Sequence, residues 1–584
     1  MSGPGAGGGA RPPRRSVLVL ALAAATGCAG LPRSGPVVAG SRVQDDPRLG
    51  LLQVVPEGPA DGAGPVEAVR GFLLAAAAGP AGEAVAREFL SVAARRTWRP
   101  GVSTTVLGET PRVEPAGGPQ PDGTTSVLVS APAVADVDAG GRYVQRPPGG
   151  SVQRTLRLVR EEGRWCVDVP GDGLLMTLVE ASRSLRAFPV HFATADAAQL
   201  VGDVRWFPYD SSTATRVVTE LLAGPSGWLA PAVFSGAPRG TRLRTGTVPL
   251  SGAAAVVDLT APALRTTPRQ RGVLLAQLRA GLTRLPGVEE VVVRVDGADL
   301  TREQGPSPAA DPPLVLPVPD PRLVLAGPSG ISRWGAGAVQ PVEGLSAGGE
   351  HPAAAVDGSC YAWLAQGGRA LHVQRPGTAS PVALDAAAVP GGAAVFAPPS
   401  VDRHGWVWAA PAASGASPAV LPAADPGAAP ALVRQPDAGL GGRPVRVRVS
   451  RDGARLLVVT EDVDGGTRVR VHAVVRVPGG RPVRLGAASP ELAPGSGPVL
   501  DASWLGDDRV VLLVRPAAGR DPVVLLSQVF GPFQQLAPVA GAESVAAGAG
   551  DRDVVVGTAD GRLLVRSGAG WAPLAPGRHP SYPG

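Results

Sequence analysis

The chain of 584 residues has no lysine and no asparagine, and Ile331 is its single isoleucine. The missing lysine excludes a phosphate-binding loop in which a lysine must reach the nucleotide phosphates. The missing residues have AT-rich codons, so a very GC-rich genome explains their absence without a functional cause. Alanine, glycine, proline, arginine and valine dominate instead, and 79 glycines and 63 prolines are too many for each to mark a turn.

Histidine and cysteine are also scarce, and their spacing indicates no metal site. None of the six histidines has a second histidine or a cysteine at metal-ligand spacing, so a zinc centre has no support. They are His191, His351, His372, His404, His472 and His579. Cys166 and Cys360 each lie in an alternating apolar segment, which favours two buried free thiols. A disulfide between domains is the alternative.

Three short patterns resemble catalytic or calcium sites. The Gly-x-Ser-x-Gly pattern of hydrolases occurs at 344–348, but no helix is predicted after its serine, so chance explains it better. The acidic segments 136–138 and 462–464 lack the downstream glutamate of a calcium loop, and hairpin turns explain them better. We predict no catalytic residue, no cofactor and no metal ion, and an enzyme is the disfavoured class of function.

The formal net charge of +6 would fit a nucleic-acid partner, but the distribution of the charges does not. Arg11, Arg14 and Arg15 lie in an N-terminal segment that we expect to be removed, which leaves about +3. The other arginines are interspersed with acids, and no basic run is dense enough to follow a phosphate backbone. The sequence therefore predicts no nucleic-acid partner.

The N-terminus has the pattern of a lipoprotein export signal. The uncharged run 16–26 follows the basic stretch and is too short to span a membrane, which takes about 20 apolar residues. It fits the apolar region of a secretory signal. Its end, Ala25-Thr26-Gly27-Cys28, resembles the bacterial lipobox, in which small residues precede a cysteine whose thiol takes up diacylglycerol before cleavage.

We therefore predict cleavage before Cys28 and an S-diacylglycerol group on Cys28, with N-acylation of the same residue left open. The lipid would hold the chain on the extracytoplasmic face of the cell membrane. An ordinary signal peptide with a chance cysteine is the alternative. The general secretory route is favoured, but the pair Arg14-Arg15 keeps twin-arginine export open.

The length predicts two to four domains. Composition and periodicity divide the chain into a signal peptide 1–27, a tether 28–50, an α+β domain 51–187, a second domain 188–300, a linker 301–320 and an all-β domain 321–580. In the first domain, apolar helical faces precede strands at 124–129, 152–159 and 164–169. Helices laid over a curved antiparallel sheet, of the nuclear-transport-factor-2 type, are the fold that we expect there.

The second domain alternates strands with helices, which predicts an α/β fold. Strands are expected at 189–192, 204–207, 245–248, 254–259 and 291–295. Ser211 or Ser212 would cap the first helix, and Thr267 with Pro268 would begin the second. The domain resembles the sporulation and germination GerMN domain through an ordered set of fragments: Glu220–Pro225, Ala237–Thr241, Val256–Leu259, Leu285–Val288 and Val295–Gly297.

The C-terminal part has a repeat typical of a β-propeller. Five aspartates precede apolar runs at intervals of 44 to 55 residues: Asp357, Asp402, Asp452, Asp507 and Asp551. A period of this size fits blades of four strands. Strand-like residues 323–325 add one blade, so six blades are expected and seven remain compatible. Trp406, Trp408, Trp504 and Trp571 are the candidates for ligand contacts, although packing between blades explains most of them.

The order of these segments resembles the LpqB family of actinobacterial lipoproteins over nearly the whole mature chain. The most specific matches are Thr26–Cys28, Leu31–Pro36 and Val449–Gly453. The resemblance implies an accessory protein that binds the extracytoplasmic domain of the sensor histidine kinase MtrB and modulates a two-component system affecting cell-wall homeostasis, division and antibiotic tolerance. A lipoprotein that binds peptidoglycan or another cell-wall glycan is the alternative.

Overall fold

The computed structural model describes residues 56–584 apart from 119, 301–313, 319, 346–347, 437–438, 493–494, 496 and 517–518. The predicted signal peptide, Cys28 and the tether lie outside the described residues, as does most of the predicted linker. Over the described ranges, none of the helices combines the length and apolar character needed to cross a membrane.

The N-terminal domain is α+β, with helices packed on one sheet. Its helices are α1 (Pro65–Ala77), α2 (Pro80–Glu88), α3 (Val92–Thr97) and α4 (Leu178–Ser184). Its strands are β1 (Ser103–Leu107), β2 (Arg112–Pro115), β3 (Thr125–Asp138), β4 (Tyr143–Gln145), β5 (Ser151–Glu161), β6 (Arg164–Val169) and β7 (Leu174–Thr177). The main strand order is β6-β5-β3-β1-β7, and β2 and β4 also pair with β3. The three predicted strands correspond to β3, β5 and β6.

The second domain contains two small sheets and two helices. Its elements are β8 (Leu185–Thr194), β9 (Leu200–Pro208), α5 (Thr213–Ala223), β10 (Val233–Phe234), β11 (Leu250–Ser251), β12 (Ala254–Leu259), α6 (Pro268–Leu282), β13 (Glu290–Val295) and β14 (Ala298–Asp299). The strand orders are β10-β8-β9 and β11-β12-β13-β14. A capping box between Thr267 and Gln270 begins α6, as the sequence predicts.

Two local predictions in this domain are wrong. Residues 245–248 form no strand, because the chain bends there and Gly246 adopts a left-handed conformation with φ of 71°. Ser212 occupies the cap position of α5, but its hydroxyl donates to Asp210 Oδ1 at 2.6 Å and caps no helical amide. The helix still ends at Ala223, before Gly224, as expected.

The C-terminal domain consists of six four-stranded antiparallel sheets, as predicted for six blades. Sheet 1 contains β15 (Leu323–Gly327), β16 (Gly330–Gly335), β17 (Ala338–Pro341) and β38 (Arg578–Ser581). Sheet 2 contains β18 (Glu350–Ala354), β19 (Tyr361–Ala365), β20 (Ala370–Gln374) and β21 (Val382–Asp385). Sheet 3 contains β22 (Phe396–Val401), β23 (Trp406–Pro411), β24 (Ala419–Pro422) and β25 (Ala431–Leu432). Sheet 4 contains β26 (Arg443–Val449), β27 (Arg455–Glu461), β28 (Thr467–Arg476) and β29 (Pro482–Ala488). Sheet 5 contains β30 (Val499–Leu505), β31 (Arg509–Val514), β32 (Val523–Gln528) and β33 (Gln534–Gln535). Sheet 6 contains β34 (Ala542–Ala547), β35 (Val554–Thr558), β36 (Arg562–Ser567) and β37 (Gly570–Pro576).

The first strands of successive sheets contact one another, and β38 contacts both β34 and β18. Sheets 1 and 6 also share a cluster of buried apolar residues that includes Leu325 and Val555. The last strand of the domain thus lies in the same sheet as its first, β15, with Val324 opposite Ser581.

The periodic aspartates lie in the turns between the first and second strands of sheets 2 to 6, not at the starts of the sheets. Asp402 shows why the sequence selects this residue. Its Oδ1 accepts the amides of His404 and Trp406, which fixes the turn, and its Oδ2 accepts the indole N–H of Trp408 at 2.9 Å. The same carboxylate forms an ion pair with Arg476 at 2.8 Å. The repeat therefore reflects turn chemistry combined with packing between sheets.

Candidate functional site

One buried arginine joins the second domain to the propeller. Arg455 begins β27 and is 1% exposed. Its guanidinium donates to the carbonyl of Gly202 in β9 at 3.3 Å and to the carbonyl of Asp507. It forms an ion pair with Asp452 Oδ2 at 2.5 Å and lies 4.7 Å from the centre of the Trp504 ring. Because a buried charge is costly without partners, the hydrogen bond from Arg455 to Gly202 holds β9 against sheets 4 and 5.

All three domains meet at Phe530 and Gly531, just after β32. The Trp206 indole N–H of the second domain donates to the carbonyl of Phe530 at 2.8 Å. The Gln145 amide of the N-terminal domain donates to the carbonyl of Gly531 at 2.9 Å. The ring of Tyr143 lies 5.7 Å from that of Trp206. These contacts connect the three domains to one short propeller segment.

Two partly exposed ion pairs also connect the second domain to the propeller. Arg284 of the second domain contacts Asp507 at 3.3 Å, and Arg403 of the propeller contacts Asp196 at 2.6 Å. His404 lies 3.9 Å from Asp196, yet its pKa is lowered to about 4, mainly by burial and then by neighbouring arginines. The second domain therefore contacts the propeller through charged pairs as well as through the buried Arg455.

A concave groove lies beside the junction, between the N-terminal domain and the propeller. It has a volume of about 310 Å³, and residues from both domains line it, among them Pro132, Tyr143, Gln145, Arg146, Leu178 and Phe533. Arg146 forms an ion pair with Asp136 at 2.5 Å, so its charge is already balanced. The partly exposed ring of Phe533 therefore offers a stacking face to a neutral ligand.

The sequence-predicted lipid site, Cys28, lies outside the described residues. The other two cysteines, Cys166 and Cys360, are buried and free, as predicted. Burial raises the pKa of the Cys166 thiol and raises that of Cys360 to about 12. Both thiols therefore stay protonated at neutral pH and are poor nucleophiles.

The histidines do not assemble into a metal site. Within the described ranges, no cluster of three or more histidine, cysteine or acidic side chains could hold an ion. The fold does bring together His351 and His579, whose ring centres are 3.7 Å apart. Sequence reasoning missed this pair because the two residues lie on β18 and β38, far apart along the chain. The pKa of each imidazole is lowered, mainly by burial and then by Arg446.

The remaining candidates have structural roles. Ser346, the serine of the hydrolase-like pattern, lies outside the described residues. Asp462 accepts the amides of Asp464 and Gly466 in a hairpin turn, as predicted for that segment. Trp406 and Trp571 pack against the cores between sheets, and Trp408 is fully buried. Trp504 is also buried, but it borders a cavity on the axis of the propeller.

Comparison with known proteins matches three families in chain order. Residues 58–182 match the family described as "Lipoprotein LpqB, N-terminal domain", residues 189–301 match "Sporulation and spore germination", and residues 330–583 match "Lipoprotein LpqB beta-propeller domain". The lipoprotein LpqB of Streptomyces coelicolor is 28% identical over 628 aligned positions, which cover 99% of each chain. The LpqB of Thermobifida fusca is 30% identical, over 47% of this chain and 45% of its own length.

Among solved structures, the tandem GerMN domains of the sporulation protein GerM from Bacillus subtilis are similar to part of the chain. The match has 17% sequence identity and a TM-score of 0.18, and it covers 20% of this chain and 42% of GerM. A likeness this weak adds nothing to the family matches. The domain layout therefore rests on the sequence families and on the strand order of the structure itself.

Proposed function

Because the chain belongs to the LpqB family of lipoproteins, we propose that it is a lipid-anchored accessory protein that binds and modulates an MtrB-type sensor kinase on the extracytoplasmic face of the membrane. Through the kinase it would influence cell-wall homeostasis and division. The family names describe lipoproteins and no catalytic family is matched, which supports a binding protein rather than an enzyme.

The observation that carries the proposal is the junction at Phe530 and Gly531, where three domains contact one propeller segment. Such a junction holds the N-terminal domain in a fixed position relative to the propeller. A fixed scaffold supports partner binding, since little conformational freedom is lost when the partner docks.

Exposed apolar side chains of the N-terminal domain are the surface that we assign to the kinase. Leu74 on α1 is 61% exposed and Val179 on α4 is 57% exposed, and these two helices pack against each other. This domain directly follows the tether in sequence, so it is the folded domain closest along the chain to the lipid. A membrane-embedded kinase would therefore meet it first.

The anchor itself gives a first prediction. We expect Cys28→Ala to abolish lipidation and processing, because the thiol that accepts the diacylglyceryl group is lost. Intact mass of the purified chain is the measurement: the wild type should begin at Cys28 and carry two acyl chains, which suffice for stable membrane retention. A water-soluble wild-type product cleaved at another position would contradict the prediction.

The kinase proposal is tested by binding. Full-length lipoprotein in detergent should bind the extracytoplasmic domain of its cognate kinase with a micromolar Kd, or about −8 kcal/mol. Val179→Arg should weaken binding at least about tenfold, because a charge would be desolvated in the interface. Val463→Arg, a matched change at a 98% exposed propeller residue, should leave the Kd unchanged. Isothermal titration calorimetry measures the Kd of the kinase domain for the wild type and for the two variants.

A cell-wall glycan binder is the second candidate, and the groove favours it. Phe533 presents a partly exposed aromatic face on which a sugar could stack, and Tyr143 lines the same groove. Retention on purified peptidoglycan that is lost in Phe533→Ala, together with no kinase binding at high micromolar concentration, would replace the kinase proposal with this one.

A further inference from the structure

The exposed apolar surface of the N-terminal domain continues into the groove and onto the propeller. Val179, part of the surface assigned to the kinase, is preceded by Leu178, which is 39% exposed. Leu178 begins α4 and also lines the groove. On the propeller side the groove is lined by Pro532 and Phe533, which are both partly exposed. One apolar surface therefore runs from α4 across the boundary between the two domains.

Three exposed prolines of the N-terminal domain line the same groove: Pro132, Pro147 and Pro148. Proline has no backbone N–H, so these residues have no main-chain donor to offer an occupant. Two of their carbonyls are already used within the domain. Pro132 accepts the amide of Gly108 at 2.9 Å, and Pro147 accepts the amide of Gly150 at 3.2 Å. This part of the groove therefore presents mainly carbon atoms.

The polar side chains of the groove are also bonded within the protein. The Gln145 amide donates to the carbonyl of Gly531 at 2.9 Å, and the guanidinium of Arg146 forms an ion pair with Asp136 at 2.5 Å. The main-chain amide of Arg146 donates to the carbonyl of Val134 at 2.8 Å. An occupant therefore gains mainly by burying apolar surface. A sugar would lose hydrogen bonds to water that these groups cannot replace, which favours an apolar group of a protein.

The size of the groove limits what can enter it. Its volume of about 310 Å³ is at the lower end of the range for ligand pockets, about 300–1,000 Å³. A space of this size takes one or two large side chains but no folded segment. Protein interfaces derive most of their binding energy from a few large side chains that fill such pockets. The groove therefore has the size and the apolar lining of a pocket for such a side chain.

We propose that a large apolar side chain of the kinase's extracytoplasmic domain inserts into this groove when the two proteins bind. The partner then contacts the N-terminal domain and the propeller at once, and it recognises the position of one domain relative to the other. This inference rests on the proposed function, because the occupant belongs to the same partner that covers Val179. Phe533 is the propeller residue that we assign to the contact.

The first test measures the affinity of full-length lipoprotein in detergent for the kinase domain by isothermal titration calorimetry. Phe533→Ala should raise the Kd at least about tenfold, because the inserted side chain loses the aromatic face against which it packs. Leu432→Ala is the matched control. It removes an apolar side chain that is 43% exposed on β25, in sheet 3 and outside the groove, so the Kd should stay unchanged.

A second variant keeps the test independent of how Phe533→Ala folds. Pro148 is exposed in the turn 147–150, in which Gly149 takes the left-handed position with φ of 85°. Most residues are compatible with the place of Pro148 in such a turn, so Pro148→Arg should preserve the fold. The long charged side chain would obstruct the groove and raise the Kd at least about tenfold. In addition, photoreactive p-benzoylphenylalanine at position 533 should crosslink to an apolar residue of the kinase domain, and at position 432 it should not.

The outcomes separate this inference from the proposed function. Wild-type affinity in either groove variant, with binding still weakened by Val179→Arg, would overturn the inference and leave the kinase proposal in place. No binding of the wild type to the kinase domain would overturn both. Normal kinase binding by Phe533→Ala, combined with lost retention on peptidoglycan, would assign the groove to a glycan instead.

Discussion

Replacing Arg455 with methionine is expected to lower the free energy of the first unfolding transition by about 3–5 kcal/mol, because the change leaves a buried charge without its partner. Asp452 is 1% exposed and would lose its ion pair, and the carbonyls of Gly202 and Asp507 would each lose a donor. Denaturant unfolding followed by tryptophan fluorescence measures the loss.

The matched control for this change is Arg509→Met. Arg509 also forms an ion pair, with Asp551 at 2.5 Å, but both side chains are partly exposed, so a loss below about 1 kcal/mol is expected. The double variant Arg455→Met with Asp452→Leu should recover much of the loss, because no uncompensated charge remains. Equal effects of Arg455→Met and Arg509→Met would show that the buried contact does not hold the domains together.

Acid should destabilise the protein below pH 6.5, and His191 should contribute a measurable share of the loss beside His351, His404 and His579, whose pKa values are also lowered. His191 is 1% exposed, and neither ring nitrogen has a hydrogen-bond partner. Burial, and then the charges of Arg284 and Arg455, lower its pKa to about 3. The folded state thus binds a proton at His191 more weakly than the unfolded state does. The contribution of neutral His191 to the unfolding free energy is therefore complete above pH 6.5 and is lost progressively as the pH drops from 6.5 toward 3.

The expected loss from His191 is about 1.4 kcal/mol per pH unit in this range, or about 3 kcal/mol at pH 4.5. His191→Leu should remove this part of the pH dependence while changing stability little at pH 7.5. The unfolding free energies of the wild type and of His191→Leu, measured at pH 4.5 and pH 7.5, test this expectation. His372→Leu is the comparison, since His372 is only half-buried and should leave most of the slope in place. A wild-type slope retained in His191→Leu would refute this assignment.

Features set by local chemistry could be predicted from the sequence. The turn aspartates such as Asp402 accept amides two and four residues further on, so their spacing showed the repeat of the sheets. The capping box at Thr267 likewise lies within one helical turn. Where the local signals were ambiguous the prediction failed, as at 245–248, where three residues typical of strands surround a glycine with positive φ.

The binding features could not be predicted, because they depend on residues far apart in sequence. Gln145 and Trp206 meet at Phe530 and Gly531 only after three domains have packed together. Arg451 looks like an ordinary turn residue in the sequence, and its hydrogen bonds to the carbonyls of Gly506 and Ala547 form only when sheets 4, 5 and 6 pack together. Periodicity shows which element a residue belongs to, but not which distant group it will face.

The pairing of β15 with β38 has a consequence for how the chain folds. Val324 and Ser581 are about 250 residues apart, and such distant pairing is associated with slow folding. The other five sheets can each form from consecutive hairpins as the chain emerges, but sheet 1 keeps only three strands until Arg578–Ser581 arrives. During that interval the free edge of β15 can pair with a strand of another chain. Aggregation risk is therefore concentrated at the step in which the last strand joins the first sheet.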